Sequence, residues 1–341
     1  MTVVVGLLPV LLFLVSLMYL DSYKLVRPRW VVGAVAGGCA LAGACWLVNI
    51  GTDALLHMSP QTYSRFVAPI VEEASKAALV IGLVRANRIG FLVDAAIYGF
   101  AIGTGFALVE NLVYWHNLGG ASWSLWLVRG FGTAIMHGGC TAIVGITGKA
   151  LADRGTWPAS AAWASSIAVA AIIHSFFNHF FLSPVIQAAV VVLVLPPLAY
   201  LIFRRSERSL EQWLNVGFDA DTEMLELVLS GRVTGTPVGS YLGELKSRFP
   251  GEVVVDMLCY LRLHLELSLR AKGLLMMREA GFPVALDEAD REKLKELDFL
   301  EKSIGAVGKL TMTPFLRTTS RDLWQIYMMR DEARRGPIGP A

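Results

Sequence analysis

Charge is what this sequence has least of. Lys, Arg, Asp and Glu make up 17% of its 341 residues, where a soluble globular domain carries about a quarter. The deficit is uneven. Long apolar runs fill residues 1–203, whereas 204–341 has the composition of an ordinary soluble segment. A formal net charge of +2 and the lack of any basic stripe with interleaved aromatics argue against a nucleic-acid partner. Cysteine is scarce too. Cys39, Cys45, Cys140 and Cys259 form no CxxC pair and no regular framework, so they read as small buried hydrophobes. HExxH is absent, and so is a pair of aspartates inside the apolar runs. The first twenty residues lack a basic leading region and a small-residue cleavage site, and positive charge arrives only with Lys24, Arg27 and Arg29. That order predicts a retained helix rather than a cleaved signal.

A bilayer core needs about 20 apolar residues per helix, and by that measure the sequence predicts about seven spans. They lie near 2–20, 30–50, 67–84, 91–115, 125–150, 159–182 and 185–203. The expected fold is all-α: a polytopic membrane helix bundle over residues 1–205, followed by a helical cytoplasmic domain over 206–341. Alternate loops hold Lys24, Arg27 and Arg29, then Arg85 and Arg88, then Lys149 and Arg154, then Arg204, Arg205 and Arg208. The other set holds only Arg65, with Arg129 just inside the fifth span. The basic side faces the cytoplasm, which puts the N-terminus outside and the tail inside. Gly33 with Gly37, and Gly99 with Gly103, have the spacing that lets helix backbones approach in lipid.

Ionisable residues inside spans are rare and costly, by about 2.5–3.5 kcal/mol each on insertion scales. Here the third span holds Glu72, Glu73 and Lys76, and the fourth Asp94, Glu110 and Asn111. The fifth holds His137, and the sixth His174, Asn178 and His179. With a rise of about 1.5 Å per residue, the glutamates, His137 and His174 fall within or near the outer half of the membrane. Helices of alternating direction thus bring carboxylates and imidazoles to one layer. Asp94 sits near the opposite end of its span, and it, His116 and His179 read as structural or interfacial.

Two chemistries suit this set. In one, His137, His174 and Glu110 bind zinc, whose catalytic sites use imidazole and carboxylate and leave a position open. Glu72 or Glu73 then takes a proton from water as general base. In the other no metal binds; a glutamate activates water while His174 and Asn178 stabilise the oxyanion. Both hydrolyse an amide inside the membrane. Intramembrane carboxylates also mark ion paths, so an ion- or proton-coupled transporter is the alternative of another class. No inverted repeat of the transporter kind is evident. A non-catalytic scaffold is the third reading.

The same residues carry a resemblance. Glu72-Glu73-Ala74-Ser75-Lys76 is similar to the EExxK motif of PrsW-type intramembrane proteases, and Phe106 to Glu110, followed by Asn111, to their FxxxE element. His137, in MHGGC, resembles the histidine of their third motif. His174 to Asn178 resembles the HxxxN element shared with the CAAX prenyl endopeptidase (Abi) superfamily, whose members carry histidine where this chain has Glu110. The resemblance covers about residues 60–182 and implies a membrane-embedded metallo-endopeptidase of the bacterial cytoplasmic membrane. It implies Glu72, Glu73 and Asn178 as catalytic, Glu110, His137 and His174 toward a zinc ion, and Lys76, Phe106 and Asn111 in support. The implied substrate is a membrane protein such as an anti-sigma factor, cut at its first site.

The tail has apolar positions at helical spacing in 222–229, 253–277 and 289–304. Gly281 to Pro283 separates two of these helices, Asp287 has the place of a cap, and the terminal GPIGPA is expected to fray. Met276 and Met277, like the Trp residues, read as core or interface belt. With no phosphate loop or nucleophile motif, the tail reads as a regulatory domain with a cytoplasmic partner.

Overall fold

Long uncharged runs leave a backbone in lipid few ways to pair its N–H and C=O groups, and helix is the one that needs no neighbour. A computed structural model describes residues 2–56, 58–118, 120–282, 284–316 and 320–333. Pro283 and the terminal GPIGPA lie outside the described residues. No strand occurs among the described residues. The chain divides into two compact units, Met1–Glu207 and Arg208–Ala341.

Helix lies at each of the seven apolar segments of the first unit. They are α1 (Thr2–Tyr19), α2 (Pro28–Leu56), α3 (Pro60–Thr62) leading into α4 (Ala68–Arg85), α5 (Leu92–Leu118), α6 (Trp123–Leu127) leading into α7 (Ala134–Arg154), α8 (Ala159–His179) and α9 (Pro184–Leu229). Among the described residues α2, α5, α8 and α9 contain segments long and apolar enough to cross a membrane, and α1 is a shorter apolar helix. α4 falls short by that measure because Glu72, Glu73, Lys76 and Arg85 share its 18 residues.

α5 is the centre of this unit. Every residue from Val93 to Ala107 is buried, and α5 packs chiefly on α2 and α7. Small residues permit it. A Cβ at Gly105 would run into Val35 O of α2, and one at Gly103 into His137 O of α7. Gly99 lies as tightly against Thr141 and Ala142. Gly33 faces open space instead, and Gly37 meets only the Leu79 side chain. α2 and α5 approach backbone to backbone at Gly38, against Ile102 O, and at Gly105, against Val35 O, two glycines on different helices that spacing within one helix does not reveal. Two π-helical turns, Tyr63–Val67 and Val128–Thr133, lead into α4 and α7. Such turns concentrate at functional sites.

In the second unit, α11 (Gly251–Glu279) buries Met257, Leu261, Leu267, Ala271 and Leu275. α12 (Glu288–Met312) and α13 (Ser320–Ala333) pack on it, and α10 (Pro237–Leu245) is tied to α12 by Tyr241 Oη, which donates to Thr311 O at 3.1 Å. Asp287 caps α12 by accepting from Asp290 N at 2.7 Å. Met276 and Met277 are exposed rather than core, because they fall on the solvent side of α11. A polar knot runs through the interior: Lys272 pairs with Asp221, and Ser268 Oγ accepts from Lys272 Nζ at 2.9 Å and from Gln325 Nε2 at 2.8 Å.

Candidate active site

α4 leaves its π-helical turn with Glu72, Glu73 and Lys76 on the side that faces α7 and α8. Glu73 and Lys76 are fully buried, and Lys76 Nζ lies 2.5 Å from Glu73 Oε1. The pairing at i and i+3 is local, as helix geometry requires. What α7 and α8 add is not local. His174 Nδ1 lies 2.9 Å from the same Glu73 oxygen, and His137 Nδ1 lies 3.1 Å from Lys76 Nζ. The two imidazoles meet edge to face with ring centroids 4.7 Å apart.

Glu73 has only acceptors to offer His174, so His174 Nδ1 is the donor, and in the neutral ring Nε2 keeps the lone pair. That Nε2 faces Glu72 Oε2 at 4.0 Å. On the far side of His137, Nε2 comes within 2.8 Å of Glu110 Oε2. Phe106 packs its ring 5.3 Å from that of His137 and lies beneath Lys76 Nζ at 4.7 Å.

Glu72, Phe106, Glu110, His137 and His174 line one cavity of about 560 Å³, and the buried pair Glu73–Lys76 lies behind that wall. The rest of the wall is largely apolar, including Trp46, Val109 and Phe177. Asn178 also lines the cavity, but its amide donates to Ser64 O at 2.9 Å, which ties α8 to the π-helical turn ahead of α4. Asn111 is buried and faces α1, donating to Gly6 O at 2.7 Å.

The glutamates, Lys76, Phe106, His137 and His174 singled out in the sequence are thus brought together, whereas Asn111, Asp94 and His179 lie outside the cavity wall. Glu72 shares ligand spacing with the histidines: one donor atom from each of Glu72, His137 and His174 lies within 4.8 Å of the others. Glu110 borders His137 and is held from behind by Arg129, whose Nη2 is 3.1 Å from Glu110 Oε1. Arg129 is the functional candidate that sequence reasoning missed. It stood in the sequence as a topology marker at the start of a span. The signal that could have found it is the adjacent Glu110-Asn111 pair at matching depth, which needs a buried donor.

Asp94 is remote from this cluster. Its Oδ2 accepts from Gly90 N at 2.8 Å and Phe91 N at 3.1 Å and closes the start of α5. His179 bonds to Ser175 O at 2.7 Å and stacks on Phe181, away from the cavity.

The donor chemistry fits a divalent ion. Two imidazoles and a carboxylate are the ligand types of catalytic zinc sites, and Glu73 on His174 is the carboxylate that orients a ligating imidazole. Glu73 Oε2 is a further buried oxygen with no hydrogen-bond partner among the described residues. His174 has its free lone pair fixed by its surroundings. His137 offers Nε2 only with Nδ1 protonated and Lys76 turned to Glu73 alone.

A model of the family described as PrsW family intramembrane metalloprotease matches residues 27–202. No curated protein and no solved structure matches the chain.

Proposed function

The chain belongs to the PrsW family of intramembrane metalloproteases, and from that premise we propose that it hydrolyses a peptide bond of a membrane-protein substrate at the cavity bordered by Glu72, Glu110, His137 and His174. The observation that carries the reading is the meeting of four helices' ionisable residues around one largely apolar cavity. Structural ion pairs alone do not require a cavity beside them.

Glu72, His137 and His174 would hold the ion, with zinc the metal that the ligand types favour. When bound, such an ion supplies Lewis acidity that acidifies water and polarises a peptide carbonyl. Glu73 keeps His174 in the tautomer that frees Nε2, and Lys76 balances the buried charge of Glu73. Glu110 lines the cavity and holds Oε2 against His137. It takes the proton of the attacking water and returns it to the departing amine. The apolar wall seats an unwound apolar segment and excludes bulk water.

On this reading the chain crosses the bacterial cytoplasmic membrane seven times, with its N-terminus outside and residues 206–341 in the cytoplasm, where they meet a partner. The resemblance points to a membrane-anchored anti-sigma factor as substrate, cut at its first site.

The test pairs metal content with cleavage. Elemental analysis of purified protein is set beside N-terminal peptide profiling of membranes that hold each variant. Wild type is expected to carry near-stoichiometric zinc and to generate new N-termini within apolar segments. His174→Ala and Glu72→Gln lose both. Glu110→Gln keeps the metal and slows cleavage by about 100-fold or more, as for a lost general base. Metal kept by Glu72→Gln with cleavage lost would make Glu72 the base instead. Cleavage retained in both Glu72→Gln and His174→Ala would sink the reading.

A further inference from the structure

An arginine in an apolar span must be neutralised, and a single carboxylate is enough for that. Arg129 has far more. It is buried in the π-helical turn Val128–Thr133. Its Nη2 lies 3.1 Å from Glu110 Oε1, its Nε donates to Asn111 Oδ1 at 2.8 Å, and its Cζ lies 3.5 Å from the centre of the Tyr114 ring. Asn111 is fixed in turn, since its Nδ2 donates to Gly6 O of α1 at 2.7 Å. α1 meets the π-helical turn backbone to backbone, because a Cβ at Gly130 would run into Val5 O.

The geometry points to Arg129 as a positioning residue: braced by Asn111, which is itself tied to α1, its guanidinium fixes Glu110 Oε1 so that Oε2 stays against His137 in the wall of the cavity. α1 lies ahead of the family-matched residues 27–202, yet it is the wall against which this arrangement is held. The proposal rests on the reading of Glu110 as the proton-transferring carboxylate.

Charge balance and positioning make different demands. An ammonium serves the first as well as a guanidinium does, but it lacks the planar fork that can hold a carboxylate and an amide oxygen at once. The probe is a quenched fluorescent peptide that spans an N-terminus mapped in wild-type membranes, assayed with the full chain in detergent. Arg129→Lys is expected to lower kcat about 10-fold or more, with KM changed less than about 2-fold and metal content unchanged. In the Glu110→Asp background, itself slowed, the same substitution is expected to add less than about 3-fold, because coupled residues are not additive. Asn111→Ser, which removes the brace but leaves both charges, repeats the test should the lysine variant fail to fold.

Full activity in Arg129→Lys would reduce Arg129 to charge balance. Effects that multiply with those of Glu110→Asp, or loss of metal in both Arg129→Lys and Asn111→Ser, would also overturn the proposal. Should Glu110→Asp and Glu110→Gln both match wild type, the reading of Glu110 itself falls.

Discussion

Glu72 and Glu73 are adjacent in the chain and have different surroundings. Neighbouring residues on a helix point about 100° apart, so Glu72 reaches the cavity while Glu73 turns inward to Lys76 and His174. On the proposed reading Glu73 acts through His174. Glu73→Gln leaves the buried Lys76 without its carboxylate, so it is expected to destabilise the protein by about 3–5 kcal/mol and, in the folded protein, to weaken zinc binding about 10- to 100-fold, the usual cost of losing an orienting carboxylate. Titration against a competing chelator measures this, and wild-type affinity in Glu73→Gln would remove Glu73 from the site. The composition of the cluster was legible in the sequence, because six ionisable residues at similar depth in apolar runs have few other reasons to be there. Which glutamate faces the cavity was not legible. It depends on the rotation of α4, which follows a π-helical turn that no periodicity in the sequence marks.

The helices themselves were legible from apolar length, and their crossings were not. Glycine spacing along one helix singled out Gly33 and Gly37, yet a Cβ at Gly33 meets nothing within 4 Å. The crossing of α2 and α5 depends on Gly38 and Gly105, where added Cβ atoms meet the backbone oxygens of Ile102 and Val35. Backbone cannot give way as a flexible side chain does. Gly105→Ala is expected to destabilise the protein by about 1–3 kcal/mol, the range for overpacking. Gly33→Ala is expected to stay within about 0.5 kcal/mol, as surface changes do. Unfolding in mixed micelles compares them, and equal losses would mean that α2 and α5 are not held this closely. In the tail, α11 and α12 followed from periodicity, but α13 did not. Its sequence mixes Arg321, Asp322, Arg330 and Asp331 with Trp324 and Met329, and its buried acidic residues break the apolar stripe.

At the scale of the whole chain, orientation decides from which side a substrate meets the cavity. Sequence charge favours the N-terminus outside, ten basic residues against two in the alternating loops. The structure sharpens that count. Arg129 is buried against Glu110 and Asn111 rather than free in a loop, which leaves Arg65 alone on the sparse side. Lys149, beside Asp153, and Arg27, both on the rich side, are buried and count for less as well, but the imbalance survives these corrections. Two exposed glycines with nothing within 4 Å of an added Cβ, Gly120 after α5 and Gly235 in the tail, are suitable for labelling. With the four native cysteines replaced, Gly120→Cys is expected to react with a membrane-impermeant maleimide in intact spheroplasts, and Gly235→Cys only after the membrane is opened. The reverse pattern would place the carboxylate–histidine layer in the cytoplasmic half and bring substrates to the cavity from inside the cell. Labelling of both sites in intact cells would mean that the chain between residues 120 and 235 does not cross the membrane an odd number of times, which would remove α9 or one of its neighbours from the spans.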